Sequence, residues 1–483
     1  MNLGLAMLAV GAVLAASVAL ALGAAKTTLP ALVAFLGLGM LLGSDGLGGI
    51  EFSDATVARE VGIVSLVAIL YEGGLSTSWR RLRAVAVPAT LLSTIGVAVS
   101  AGLTGCFAHL LFDLSWPEAF LLGSVVASTD AAAVFATLRR TRLRRGLART
   151  LEAESGGNDP VAIALTIGLI AWIERPHYGV DDLAVLLVKQ IGIGLAIGLV
   201  IGIAAMWVFA RIPPSIVSFV PVASAATAAL AFGAADVAHG SGFLSVYLVG
   251  LAVGSTPSRY RGQLVTFHEG VAYVAQVALF IVLGLLVFPS ELPHVAFAGV
   301  GLAAALMFVA RPVAVWASTP FTGFTTRERA LLGWAGLRGG VPIVLGTFVL
   351  SSRLDSADTI FNAVFFVVLV SVVLQGTTLE WLARRLGLVG TAGPSHRPLE
   401  VTRTGVLDLE EFRVAADHAI AGAAVREIGL PREALVAVVV RGDDAIPPRG
   451  STRIEAGDVL FVLVPHGKRP EVEDVFERWR RRV

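Results

Sequence analysis

Apolar stretches of about 20 residues recur along the sequence, and they limit its fold more than any other feature. One helical crossing of a bilayer core requires roughly 20 apolar residues. Hydrophobic residues make up 55% of the chain and charged residues only 15%, a composition atypical of soluble proteins. The spans can be drawn at about 3–23, 29–44, 60–75, 85–111, 117–137, 148–173, 183–209, 215–235, 239–256, 269–288, 294–316, 329–351 and 360–383. The sequence therefore predicts an all-α polytopic membrane protein with about 13 transmembrane helices.

Charge in the linkers predicts the orientation of these spans. Every arginine-rich linker follows an odd-numbered span, and the other linkers are acidic or neutral. The basic linkers carry Arg80, Arg81 and Arg83; Arg139, Arg140, Arg142, Arg144 and Arg145; Arg211; Arg259 and Arg261; Arg327 and Arg329; and Arg384 and Arg385. The positive-inside rule then predicts an N-terminus outside and a cytoplasmic C-terminus. No basic residue precedes the first run, which favours a membrane span there over a signal peptide.

A weak internal repeat appears when the sequence is shifted by about 210 residues. Residues 32–44 then align with 244–255, and Ser128-Thr129-Asp130 aligns with Gly339-Gly340. The shift covers an odd number of spans, so the second copy is inverted relative to the first, as in many secondary transporters.

Helix-breaking residues interrupt both aligned spans at mid-membrane. Span 5 contains Ser128, Thr129 and Asp130, and span 12 contains Gly339, Gly340 and Pro342. Unwound backbone is tolerated at that depth only where protein buries it or where it lines a cavity. We therefore expect two crossed, unwound helices. Asp130 is expected to offset the positive start of one half-helix, and Arg338 the negative end of another.

The stretch 151–165, LEAESGGNDPVAIAL, places three carboxylates in one predicted membrane helix. Glu154 and Asn158 are four residues apart, as are Ser155 and Asp159, so these oxygens lie on one side of a helix. Ionisable groups inside a membrane indicate an ion or proton site. Asp159 is the predicted exchanging group, because burial penalises a charged carboxylate and lets a proton compete with a cation.

The remaining side chains in this region have predicted supporting roles. Thr129 and Ser155 supply neutral oxygens that suit a hard monovalent cation, and Asn158 orients the backbone without adding charge. Glu154 is expected to form a structural ion pair with Arg338, since a lone arginine would be intolerable there. Glu152 is interpreted as a cytoplasmic-end residue. Glu72 is either a site ligand or a solvated helix end.

Two further features complete the membrane part. Arg311 is interpreted as a structural partner of backbone carbonyls. The single cysteine, Cys106, lies in an apolar run and excludes an intrachain disulfide or a cysteine-based metal site.

The segment after Leu386 differs in composition from the spans. Residues 387–398 are predicted to form a linker, and residues 399–483 a small α+β domain on the cytoplasmic side. Strands are expected in VLDLEEFRV, ALVAVVVR and DVLFVLVP, and a helix in AIAGAAVREIGL (419–430). No GxGxxG motif follows a strand, and there is no P-loop, so a regulatory or interaction module is favoured over a catalytic nucleotide domain.

The stretches LEAESGGNDPVAIAL, ASTDAAAV, ILYEGGL and GLRGGVP resemble the bacterial NhaP-type branch of the monovalent cation:proton antiporter-1 family. The resemblance implies a homodimer with an inverted repeat and crossed, unwound helices. It also implies cation binding around Asp159, with contributions from Ser155, Thr129, Asp130 and Glu72, and the Glu154–Arg338 ion pair. Asn158-Asp159, where relatives carry two aspartates, implies electroneutral exchange.

Residues 434–465 resemble TrkA-C (RCK-C) domains, which regulate potassium transport. The combination is similar to potassium/proton antiporters associated with cell-volume control. It leaves open a nucleotide-type regulator at the C-terminal domain, and no other cofactor is expected.

The sequence thus predicts a secondary antiporter, and no enzyme, that exchanges K⁺ or Na⁺ for H⁺ across a bacterial inner membrane by alternating access. Its expected partners are lipid, the transported ions and a second copy of the chain, with no nucleic acid. A cation channel gated by the TrkA-C-like domain is the alternative, but no TVGYG-type filter is present. A transporter of organic anions would need free half-helix N-termini, and Asp130 argues against it.

Overall fold

The computed structural model describes residues 3–24, 31–138, 143–175, 177–213, 218–256, 260–389, 396–401, 405–442, 444–465 and 468–480. Several predicted features lie outside these residues, namely Arg139, Arg140, Arg142, Arg259 and residues 390–395 of the predicted linker. The chain divides into two compact units. One comprises residues 1–258 and 263–389, and the other comprises residues 259–262 and 390–483.

The first unit is built from helices. Its described helices are α1 (Leu3–Ala24), α2 (Ala31–Leu42), α3 (Ala55–Ser76), α4 (Trp79–Arg83), α5 (Ala86–Leu91), α6 (Val97–Phe112), α7 (Trp116–Val125), α8 (Ala131–Thr137), α9 (Arg145–Glu174), α10 (Val180–Phe209), α11 (Val220–Val237), α12 (Gly242–Ser255), α13 (Arg261–Leu285), α14 (Leu292–Ala305), α15 (Arg311–Ser318), α16 (Thr326–Trp334), α17 (Gly340–Leu350) and α18 (Ala357–Arg385). Short π-helical turns, Leu92–Gly96 and Leu306–Ala310, join α5 to α6 and α14 to α15. Within the described residues, each predicted span falls on one of these helices or on an interrupted helix pair.

Eight of the described helical segments are long and apolar enough to cross a membrane. They are Leu3–Ala24, Ala86–Phe112, Gly146–Glu174, Val180–Phe209, Val220–Val237, Arg261–Leu285, Leu292–Ser318 and Ala357–Arg385. Helices α2, α12 and α17 are apolar but shorter. The protein is therefore a multi-pass membrane protein, and the count of thirteen spans stays a prediction.

The inverted repeat is visible in local structure as well as in sequence. A capping box of Ser115 and Glu118 begins α7, and a capping box of Thr325 and Glu328 begins α16. Both helices stop early and resume after an unwound stretch, as α8 and α17. The π-helical turns occupy matching places before them. The same order of elements thus recurs after about 210 residues.

Helices α3 and α12 pack with their backbones in close contact. A Cβ added at Gly74 would collide with the backbone of α12 at Tyr247, and a Cβ added at Gly250 would collide with the carbonyl of Tyr71. Small residues permit such close approach of membrane helices. The backbone segments that carry Glu72 and Tyr247 are consequently held close together.

The second unit contains an antiparallel five-stranded sheet of order β1-β2-β5-β3-β4. The strands are β1 (His396–Val401), β2 (Gly405–Arg413), β3 (Leu435–Arg441), β4 (Asp444–Ile446) and β5 (Val459–Pro465), and α19 (Arg469–Trp479) follows them. Alternate residues of β5 are buried, and Leu460, Val462 and Val464 form a core with Phe412 and Trp479. The predicted α+β fold of this domain is confirmed.

The prediction of a helix at 419–430 is wrong. This segment forms turns and a single 3₁₀ turn, Val425–Glu427. Gly422 and Gly429 adopt φ of 89° and 70°, which no right-handed helix contains. Backbone amides of this segment donate instead to carbonyls of residues 450–454. For example, the amide of Gly422 donates to the carbonyl of Ile454 at 2.7 Å.

Candidate functional site

The two unwound stretches, 126–130 and 335–339, meet through their backbones. The amide of Asp130 donates to the carbonyl of Leu337 at 2.8 Å. A Cβ added at Gly339 would collide with the carboxylate of Asp130. Gly339 therefore leaves the space that the Asp130 carboxylate occupies, and any larger residue would force that side chain to move.

Charged side chains compensate the helix ends at this crossing. Oδ1 of Asp130 accepts the amide of Ala133 at 3.1 Å and so caps the start of α8. Nη1 of Arg338 donates to the carbonyls of Ala127 and Ser128, at 2.6 and 2.5 Å, just beyond the end of α7. Both residues lie where the sequence predicts them, one at a positive helix start and one at a negative helix end.

The predicted ion pair between Glu154 and Arg338 is replaced by another. Oε1 of Glu154 lies 2.6 Å from Nη1 of Arg311, and both side chains are almost fully buried. Arg311 follows the π-helical turn Leu306–Ala310 and reaches α9 from span 11, whereas Arg338 uses Nη1 on backbone carbonyls. The prediction failed because sequence gives the depth of a charge in the membrane but not its direction around the helix.

Helix α9 carries the remaining predicted site residues. Ser128 donates to Oδ1 of Asp159 at 2.8 Å, and Nδ2 of Asn158 donates to the hydroxyl of Thr129 at 2.6 Å. The hydroxyl of Ser155 accepts the amide of Ala131 at 3.2 Å. Hydrogen bonds to side chains of α9 thus hold the unwound stretch in place. Sequence reasoning missed Ser128 as the partner of Asp159, although it directly precedes Thr129.

Pro160 lies inside α9, one residue after Asp159. Proline has no N–H, so it cannot donate to the carbonyl of Gly156 four residues earlier. One backbone oxygen therefore lacks its helical donor in the turn that carries Ser155 and Asp159.

A cavity of about 220 Å³ opens onto this turn. Four carboxylates line it: Glu72, Asp130, Glu152 and Asp159. Of the other predicted site residues, Ser155 and Gly340 line it, but the described lining does not include Thr129 or Asn158. The predicted site residues are thus divided between the cavity wall and a layer behind it.

The lining residues of the cavity come from two sets of helices, each of which is called a wall. One wall comes from α8, α9 and α17 and carries Asp130, Ser155 and Asp159. The other comes from α3, α12 and α13 and carries Glu72, Tyr247 and Gln276. Oε1 of Glu72 accepts the hydroxyl of Ser76 at 2.6 Å. A carboxylate therefore faces the cavity from each wall.

Several polar lining residues, among them Glu152, Tyr247 and Gln276, were not predicted for the site. Glu152 lies in the cavity wall, and Tyr247 and Gln276 were not identified because uncharged polar residues in apolar spans are common. The one sequence signal for Gln276 is its position in mid-span 10.

Asp159 differs from the other buried charges of this region. Glu154 and Arg311 neutralise each other, and Asp130 and Arg338 offset helix ends. Asp159 is 5% exposed and accepts a neutral hydroxyl. A single negative charge in this setting needs one positive charge, and either a monovalent cation or a proton can supply it.

Comparison with known proteins agrees with this architecture. The model of the sodium/hydrogen exchanger transmembrane family matches residues 12–385, and that of the TrkA-C domain matches residues 409–477. The K(+)/H(+) antiporter NhaP2 of Shewanella baltica (strain OS223) is 38% identical over 465 residues, which cover 94% of this chain and 80% of that protein. The K(+)/H(+) antiporter NhaP of Alkalimonas amylolytica is 34% identical over 98% of this chain and 83% of its own length.

A solved structure shares the fold. The sodium proton antiporter MjNhaP1 from Methanocaldococcus jannaschii superposes with a TM-score of 0.70 at 24% identity, over 80% of this chain and 99% of that one. Because the family model spans most of the helical unit, the chain belongs to the sodium/hydrogen exchanger family of membrane antiporters and carries a C-terminal TrkA-C domain.

Proposed function

We propose that this chain exchanges a monovalent cation for a proton at Asp159, with K⁺ as its first candidate substrate. The observation that carries the proposal is the buried Asp159 carboxylate, which lines a cavity and has no ion-pair partner among the described residues. The relatives named K(+)/H(+) antiporters support K⁺, as does the TrkA-C domain.

Competition for one carboxylate couples the two ions. A proton on Asp159 removes the charge that attracts the cation, and a bound cation disfavours protonation. Hard oxygen ligands from Ser155 and the unwound backbone suit an alkali cation, with Thr129 and Asn158 holding that backbone in place. Asp130 and Glu72 contribute negative potential from opposite walls.

Charge balance supports electroneutral exchange. One carboxylate that binds either one cation or one proton carries the same total charge in both states. Alternating access would then move the wall containing α8, α9 and α17 against the wall containing α3, α12 and α13.

The chain acts in a bacterial inner membrane as a homodimer, with its N-terminus outside and its C-terminus cytoplasmic, as the arginine distribution supports. The TrkA-C domain regulates exchange by binding a small ligand, for which a nucleotide is one class.

Reconstituted vesicles containing a trapped pH dye test this function. K⁺, Na⁺ and Li⁺ are added separately at several pH values, with the membrane potential clamped. Wild type should move protons on addition of K⁺, and Asp159→Asn should not. The matched control is Asp181→Asn, which neutralises an exposed aspartate at the start of α10 and should retain exchange. Normal exchange by Asp159→Asn contradicts the proposal.

A further inference from the structure

The hydroxyl of Tyr247 is buried in the cavity wall with its hydrogen-bonding capacity largely unused. Tyr247 is 7% exposed and lines the cavity, and its hydroxyl makes no well-aligned hydrogen bond to the described residues. The Thr77 hydroxyl interacts with it from one side but donates its own proton to the carbonyl of Gly73 at 2.8 Å. An unsatisfied buried hydroxyl costs free energy unless a ligand or water occupies its polar side.

Tyr71 on the same wall provides a contrast. Its hydroxyl bonds to Ser224 at 2.8 Å and to Thr227 at 3.1 Å, and its ring packs on His268. Tyr71 does not line the cavity. The two buried tyrosines therefore differ in how they can meet a ligand: the Tyr71 hydroxyl is bonded twice away from the cavity, whereas the Tyr247 hydroxyl lines the cavity and makes no well-aligned bond.

Tyr247 contacts the ion-binding turn of α9 at Gly156. A Cβ added at Gly156 would overlap the ring and the hydroxyl of Tyr247. Gly156 directly follows Ser155, lies three residues before Asp159, and has the carbonyl that Pro160 leaves without a donor. Glu152 and Asp159 are the charged groups that act on the Tyr247 side chain. A neutral oxygen from α12 is thus placed against the turn of α9 that carries the proposed cation ligands.

We propose that the Tyr247 hydroxyl is a ligand of the transported cation and helps to set cation preference. This inference rests on the proposed exchange at Asp159. Selectivity among alkali cations depends on the number and the field strength of the coordinating oxygens. A proton on Asp159 needs no such oxygen, so Tyr247 affects cation binding without taking part in protonation.

Tyr247→Phe keeps the ring on Gly156 and removes only the hydroxyl. In the vesicle assay at fixed pH, half-saturation for K⁺ should rise about tenfold, the effect of roughly 1.4 kcal/mol. The maximal rate at saturating K⁺ should stay within about twofold, and the ratio of half-saturation values for K⁺, Na⁺ and Li⁺ should change. Tyr71→Phe is the matched control, and it should leave these ratios unchanged. Unchanged half-saturation and unchanged ratios in Tyr247→Phe overturn the inference.

A second pair of variants tests the contact from α9. Gly156→Ala should displace the Tyr247 ring and raise half-saturation for K⁺, while Gly146→Ala on the same helix, whose added methyl meets nothing within 4 Å, should not. If Gly156→Ala and Gly146→Ala have equal half-saturation values, Tyr247 does not meet the site at Gly156, and the inference is overturned.

Equilibrium binding of radioactive Rb⁺ to the purified full-length protein separates the two proposals. Weaker Rb⁺ binding by Tyr247→Phe supports the ligand role even if wild-type vesicles move no protons, a result that would refute only the exchange function. Equal Rb⁺ binding by wild type and Tyr247→Phe, with wild-type exchange intact, refutes the ligand role alone.

Discussion

Glu154 and Arg311 form a fully buried ion pair, with 2.6 Å between Oε1 and Nη1. The pair connects α9, which carries Asp159, to the start of α15. Arg338 lies close enough to interact with both charges, yet Nη1 of Arg338 bonds to the carbonyls of Ala127 and Ser128. The ion pair and the carbonyl contacts thus hold different parts of the same crossing.

Glu154→Gln should destabilise the protein by about 3–5 kcal/mol, because it leaves the charge of Arg311 buried and unpaired. Fluorescence-detected size exclusion after heating would show a lower midpoint of unfolding than for wild type. Glu154→Gln combined with Arg311→Met should recover part of the loss. A double variant that is less stable than Glu154→Gln alone would show that the pair is not the main contact of Arg311.

Gly339→Ala should disrupt the crossing, because its methyl would overlap the carboxylate of Asp130. We expect exchange in vesicles to fall at least about tenfold, equivalent to roughly 1.4 kcal/mol in the barrier. Gly333→Ala on α16 is the control, since its methyl would meet Pro312 at ordinary contact distances of 3.6 Å and more. Similar rates for the two variants would mean that the unwound backbones can separate without loss of transport.

Asp458 should make the TrkA-C domain sensitive to acid. Donation from the Arg441 guanidinium, at 2.8 and 2.9 Å, holds the pKa of Asp458 below its ordinary value. A carboxyl whose pKa is lowered by folding stabilises the domain above its unfolded pKa, about 3.9, and loses that contribution as pH falls through the folded value. Asp458→Asn should therefore speed amide exchange of β3 and β5 in the full-length protein at pH 7.

The effect of Asp458→Asn should shrink at low pH, where the wild-type carboxyl is also protonated. Hydrogen–deuterium exchange at pH 7 and at about pH 3 compares the two conditions, with intrinsic rates corrected for pH. If the amide exchange rates of wild type and variant differ by the same factor at both pH values, packing, and not the charge of Asp458, stabilises these strands.

Deletion of residues 399–483 should change the activation of exchange without eliminating it. The cavity beside Asp159 is lined entirely by residues between Leu66 and Val341, all in the helical unit. Vesicle assays of the truncated and full-length proteins would compare their rates over a range of pH. Complete loss of exchange in a monodisperse truncated protein would mean that the C-terminal domain is needed for transport itself.

Sequence predicted the helices well, because apolar length and mid-span helix breakers are local signals. The helix interruptions at Asp130 and at Gly339 could be inferred because the residues there destabilise a continuous membrane helix. The partner of Glu154, in contrast, could not be inferred from the sequence. Arg311 follows a π-helical turn, which changes the direction of side chains around the helix, and nothing in the sequence marks that turn.

Prediction from the sequence has the same limit in the second unit. Residues 419–430 have helix-forming composition, but long-range bonds to residues 450–454 determine their conformation. Helix α19 was not predicted, although the buried side chains Val472, Val475, Phe476 and Trp479 follow a helical period. Local sequence patterns do not predict tertiary contacts. They also give little indication of which uncharged polar residues, such as Tyr247, line a cavity.

The backbone bond between Asp130 and Leu337 has a consequence for how cation preference can vary within such a protein. The two broken spans share hydrogen bonds and helix-end charges, so a change in either span disturbs both. Tyr247 and Gln276 line the same cavity from α12 and α13, outside the two broken spans. Variation in ion preference should therefore accumulate on α12 and α13, while the crossing itself tolerates little change.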